Sequence, residues 1–140
     1  MKKTGIIIYI VILFIVSCTG EDKKSQIIGE WNLTNFTDND VKVELTECDK
    51  QTVWHFTSED AEPLGDGTRV YTLTGKAPDN CKWYGFDSKW TLNEGQLFVS
   101  TSKIGGMGGV SLAGMMDIME LTENKMVLTS MDREITLERE

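Results

Sequence analysis

From residue 27 onward, apolar and polar residues alternate over short runs that turn-forming residues separate. In the run 27–34, Trp31 and Leu33 share one face while Glu30, Asn32 and Thr34 share the other, the period of two of a half-buried strand. After the turn-like stretch 37–40, Val41, Val43 and Leu45 alternate with Lys42 and Glu44 and predict a second strand. The run 52–57 sets Trp54 and Phe56 against Val53 and His55, and the run 69–74 places Tyr71 with Leu73. Between them, the acidic, glycine- and proline-bearing stretch 58–67 predicts a loop. Residues 77–80 read as a turn into Cys81, and the run 89–92 pairs Trp90 with Leu92. Glu94-Gly95 predicts a hairpin into Leu97, Phe98 and Val99. Strands follow at 116–121, 125–131 and 134–139, parted by Glu123-Asn124 and Asp132-Arg133.

No sustained 3.6-residue apolar period occurs in this part of the chain, so eight or nine short strands predict an antiparallel sandwich or barrel. Two stretches break the alternation. Residues 19–26 are polar and read as a short flexible tether. The uncharged segment 104–116 interleaves five glycines with Met107, Val110, Leu112, Met115 and Met116. It is either a lid over one end of the sheet or a long hairpin connection.

The first residues are of another kind. Lys2 and Lys3 precede the uncharged run 6–16, whose eleven residues would make ~16 Å of helix, about half of a ~30 Å hydrocarbon core. That is a signal-peptide length and too short to span. The junction Ile15-Val16-Ser17-Cys18 resembles the lipobox of bacterial lipoproteins, whose cysteine is acylated and becomes the new N-terminus. An ordinary secretory leader would carry small residues at its cleavage site, where this chain has Ile, Val and Ser. The resemblance implies a cleaved signal peptide over residues 1–17, a lipidated tether over 18–26 and a folded domain over 27–140. One fatty chain holds only marginally; the two or three chains, palmitate among them, that such lipoproteins carry on the cysteine would moor Cys18 to the membrane. Thr19, in place of a retention aspartate, points to the bacterial outer membrane, at its periplasmic or its surface-exposed face.

Charge and cysteine content narrow the partners. The leader holds two of the 14 basic residues and none of the 22 acidic ones, leaving 12 against 22, or −10. Such a surface repels phosphate backbones and anionic headgroups, which excludes nucleic-acid binding and leaves anchoring to the acyl chains. With Cys18 acylated in an oxidising compartment, Cys48 and Cys81 remain as an even pair and predict a disulfide. A zinc site would need four ligands, and beside two cysteines only His55 is at hand, so no metal is predicted.

Taken in order, several segments resemble the small lipocalin-like domains of bacterial lipoproteins. They are Gln26-Ile27-Ile28-Gly29-Glu30-Trp31-Asn32-Leu33, Cys48 ahead of Trp54 and Phe56, and Cys81 ahead of Trp90 and Leu92. The closing strands Met126-Val127-Leu128 and Ile135-Thr136-Leu137-Glu138-Arg139 complete the series, so that the likeness spans residues 26–140. It implies an all-β fold, an antiparallel up-and-down β-barrel of about eight strands in the lipocalin-like, or calycin, manner. It further implies that Gly29 and Trp31 pack at the closed end of the barrel, with Arg139 over the tryptophan ring.

An eight-stranded barrel is just wide enough to be packed solid or to hold one small ligand. Trp54, Phe56, Tyr71, Leu73, Trp90 and Leu92 are the inward candidates for a small hydrophobic or amphipathic ligand, and equally the candidates for a filled core. The alternative is a protein-interaction module, an accessory subunit or inhibitor at the cell envelope, working through loops around a solid core. Glu59, Asp60, Glu62 and Asp66 would then face a basic partner, or are simply a solvated loop. No catalytic residue or cofactor is predicted and the chain is read as no enzyme. His55 is the lone histidine, and no Ser, Cys or carboxylate stands at a recognisable catalytic spacing from it.

Overall fold

β1 (Gly29–Asp38) organises the domain because it serves two partners. Its first half, Gly29 to Asn32, pairs with β3 (Val53–Asp60), and from Asn32 to Asp38 it pairs with β9 (Arg133–Glu138). The register shifts between Leu33 and Asn35, a bulge that bends the strand from one neighbour to the other. Between these two neighbours run β4 (Tyr71–Lys76), β5 (Phe86–Asn93), β6 (Gln96–Ile104), β7 (Gly114–Leu121) and β8 (Lys125–Ser130), each antiparallel to the next. The result is the expected closed antiparallel barrel of eight strands. The computed structural model describes residues 20–104, 110 and 113–139. The leader 1–17, Cys18 and most of the glycine–methionine segment lie outside the described residues.

The strand expected over 41–45 is shorter than its alternation suggested. Only β2 (Val41–Lys42) pairs, with Thr37 and Asp38 of β1, and Val43 is exposed. β2 and β3 are both antiparallel to β1 on the same flank, so they amount to one barrel strand interrupted by residues 43–52. A short helix, α2 (Glu47–Gln51), fills that interruption. Thr46 starts it with a capping box: the Asp49 N–H donates to Thr46 Oγ1 at 3.1 Å, and the Thr46 N–H donates to Asp49 Oδ2 at 2.9 Å. The segment ahead of β1, expected as a flexible tether, is the helix α1 (Gly20–Ile27). Residues 58–60, expected in a loop, extend β3, and the turn into Cys81 is a 3₁₀ segment (Asp79–Tyr84).

Alternation does place the core. Trp31, Leu33, Trp54, Phe56, Leu73, Trp90, Leu97, Val99, Met116, Met126, Leu128, Ile135 and Leu137 form one buried cluster. Register also separates the two ends of the barrel. One end gathers the start of β1, the β3–β4 loop, the Glu94-Gly95 turn, the β7–β8 turn and the end of β9. The other gathers the Asn39-Asp40 turn, α2, the 3₁₀ segment, the β6–β7 connection and the Met131-Asp132 turn.

Candidate functional site

α1 lies across the first of these ends. Its acids Glu21 and Asp22 stand in the first turn and Lys24 in the last, in line with the helix dipole. Carbonyls at a helix C-terminus have no helical donor, and here the barrel supplies them. The Trp31 indole N–H donates to the Ile27 carbonyl at 2.7 Å, and Arg139 Nη2 donates to the carbonyls of Gln26 and, at 2.9 Å, Ile28. The Arg139 guanidinium sits 4.0 Å from the Trp31 ring centroid, a cation–π contact. Gly29 adopts φ +134°, a backbone conformation that calls for glycine, and the guanidinium packs in ordinary contact with it. Burial pushes the Arg139 pKa down from its ordinary value, and its Nε lacks a hydrogen-bond partner among the described residues. Beside this corner the Lys24 ammonium lies 3.8 Å over the Tyr71 ring. This end is sealed.

The six side chains expected to face a ligand divide. Trp54, Phe56, Leu73 and Trp90 are buried in the core cluster, with Phe56 and Trp90 meeting edge to face at 5.5 Å. The Trp90 indole N–H donates to the Thr57 carbonyl at 3.0 Å. Tyr71 is 5.4 Å from Trp90 and lies beneath Lys24, while Leu92 packs partly buried against the same cluster. Phe56, Tyr71, Leu73, Trp90 and Leu92 therefore pack together and fill the lower barrel. The upper half differs. Trp54 meets Phe86 edge to face at 4.9 Å, and both are register partners of Gly75. A Cβ on Gly75 would fall inside the Phe86 ring. Phe36 and Phe86 are only partly buried, and Ser88 Oγ donates to the Ser100 carbonyl. The strand expected from Lys89 begins three residues earlier, at Phe86, so that Phe86, Ser88 and Trp90 continue one period of two.

Exposed apolar residues stand around the other end: Val41 in β2 and Val43 just after it, Trp83 on the 3₁₀ segment and Met131 in the β8–β9 turn. The Asn39 N–H donates to the Asp132 carbonyl at 2.8 Å and draws two of the turns together. Cys48 and Cys81 form the expected disulfide, with Cα atoms 5.5 Å apart, stapling α2 to the 3₁₀ segment across this rim. On the outer wall, where β1 leaves β3, an open groove of about 700 Å³ is lined by Asn32, Thr34, Lys50, Gln51, Val53, Pro78 and Glu138, among others.

A family profile described as a lipocalin-like domain matches residues 27–128. The chain belongs to that family. Comparison with curated proteins and with solved structures gives no significant match. In this lipocalin-like domain three of the four acids expected to meet a basic partner have partners within the chain. Asp60 accepts two hydrogen bonds from Arg69, at 2.6 and 2.8 Å, which hold its carboxyl below the ordinary range. Asp66 accepts from the Thr68 N–H at 2.9 Å, and Glu62 lies 3.9 Å from Lys89. His55 stands on β3 opposite Glu30 and Thr74. Among the described residues, no group of three His, Cys, Asp or Glu could hold a metal ion.

Proposed function

We propose that this lipocalin-like domain takes a small hydrophobic or amphipathic ligand through its open end while acyl chains on Cys18 hold it at the bacterial outer membrane. The observation that carries the reading is the contrast between the ends. One is sealed by α1, Trp31 and Arg139, whereas Val41, Val43, Trp83 and Met131 present apolar surface around the other. Exposed apolar surface gathered at the mouth of a barrel is where an apolar guest would enter. The ligand seats in the upper half, against Phe36, Phe86 and the Trp54 edge, and not among all six aromatic and aliphatic candidates. The domain binds without catalysing, and needs no cofactor.

Native mass spectrometry of the gently extracted full chain, together with binding of an apolar fluorescent probe, tests this. A retained small molecule or saturable probe binding, weakened by Trp83→Ala and Phe86→Ala, is the expected result. Absence of both would refute it. The outer groove favours a second reading, an accessory subunit or inhibitor docking a protein on the β1–β3 wall, and recovery of one stoichiometric partner lost on Gln51→Ala would favour that one.

A further inference from the structure

The docking of α1 fixes more than the closed end. We infer that the sealed end of the barrel faces the bilayer and that the apolar mouth points away from it; this rests on acylation of Cys18, as proposed above. Only Thr19 separates Cys18 from Gly20, two Cα–Cα steps with a reach of at most ~7 Å. From Gly20 the chain is helical, and the helix spans about 12 Å across the barrel's end.

α1 is tied down along its length. Ile27 is fully buried, Lys24 covers Tyr71, the Lys23 ammonium lies beside Gly95 of the β5–β6 turn, and the helix packs against β7. Trp31 and Arg139 clamp its last carbonyls. No slack remains for the barrel to roll over, because the strands rise about 20 Å from this end to the mouth, nearly three times the free reach. The outward face of the helix carries Glu21, Asp22 and Ser25, all exposed, so this end stands against headgroups without burying itself among acyl tails. Apolar rim residues that would otherwise draw the mouth into its own membrane are carried to the far side and offered to whatever lies across the aqueous space.

The test uses the full lipidated chain in liposomes containing a small fraction of nickel-chelating lipid. Nitroxides are attached singly at Glu123→Cys, in the β7–β8 turn, or Met131→Cys, in the β8–β9 turn, at the two ends of β8 and both exposed. Co-flotation with the liposomes comes first, and a chain that does not float overturns the acylation reading and the orientation with it. Among chains that float, relaxation enhancement several-fold stronger at position 123 than at 131 is expected. Equal enhancement, or the reverse order caused by the rim entering the bilayer, overturns the orientation and leaves the anchor standing. A version with about twelve Gly/Ser residues inserted between Thr19 and Gly20, an added r.m.s. reach of ~18 Å, should float equally well and lose the difference. If it keeps the difference, the short docked helix is not its cause.

Discussion

Replacing Arg139 by alanine removes three interactions at once. Two charge-assisted hydrogen bonds, to the carbonyls of Gln26 and Ile28, contribute roughly 1.5–3 kcal/mol each. The stack on Trp31 adds about 0.5–2 kcal/mol. Against these stand the desolvation that lowers the guanidinium's pKa and the unpartnered Nε, an opposing cost of roughly 1–3 kcal/mol. The balance is a loss of about 3 kcal/mol. In urea, with a slope near ~1.5 kcal/mol/M for a domain of this size, the midpoint should fall by about 2 M. Tryptophan fluorescence reads the transition. Arg139→Lys keeps the charge, but one ammonium cannot hold both carbonyls and lie flat on the ring, so it should recover less than half of the loss. Because the contacts are partly buried, salt at ~0.5 M should leave the difference nearly unchanged. A midpoint for Arg139→Ala within ~0.2 M of the parent would refute the view that this corner holds helix and barrel together.

Gly75→Ala forces a methyl group into the Phe86 ring and should destabilise the domain by about 1–3 kcal/mol, read by differential scanning calorimetry; an unchanged melting temperature would mean that the ring swings aside freely. Reducing Cys48–Cys81, whose partners are 33 residues apart, should cost roughly 3–4 kcal/mol on the loop-entropy model, measured by urea titration with and without reductant. The Asp60 carboxyl titrates below its ordinary value, so its contribution is complete above the ordinary carboxylate pKa and is lost as pH falls through the lowered one. Arg69→Ala should move its NMR titration back up; an unmoved titration would mean that the bidentate pair is not the cause.

Where the physics is local and repeats every second residue, the sequence was legible. Trp31 and Leu33, Trp54 and Phe56, and Met126 and Leu128 all lie in the buried cluster because a barrel has one inside and one outside. Val41, Val43 and Leu45 show the limit of that logic. They carry the same alternation, yet the Thr46–Asp49 capping box starts a helix just beyond them, and a helix of five residues is too short to display a period. α1 was illegible for a different reason. It contains a single buried apolar residue, Ile27, and what holds it is donated by Trp31, Tyr71 and Arg139 from distant strands. The candidate site was half legible: the six inward side chains could be named, but only packing reveals that the lower ones fill the barrel and that Phe86, opposite the empty side of Gly75, stands nearer its mouth.

Most strand pairings join segments close along the chain, but β1 with β9 does not, and neither does the contact of Arg139 with Gln26, 113 residues apart. A polypeptide emerging amino end first has no finished cylinder to collapse into until its final strand is free, because the rewarding contacts come only after the longest loop has closed. Topology alone therefore keeps the nascent chain open until its carboxyl end is free, whatever the strength of its local hairpins.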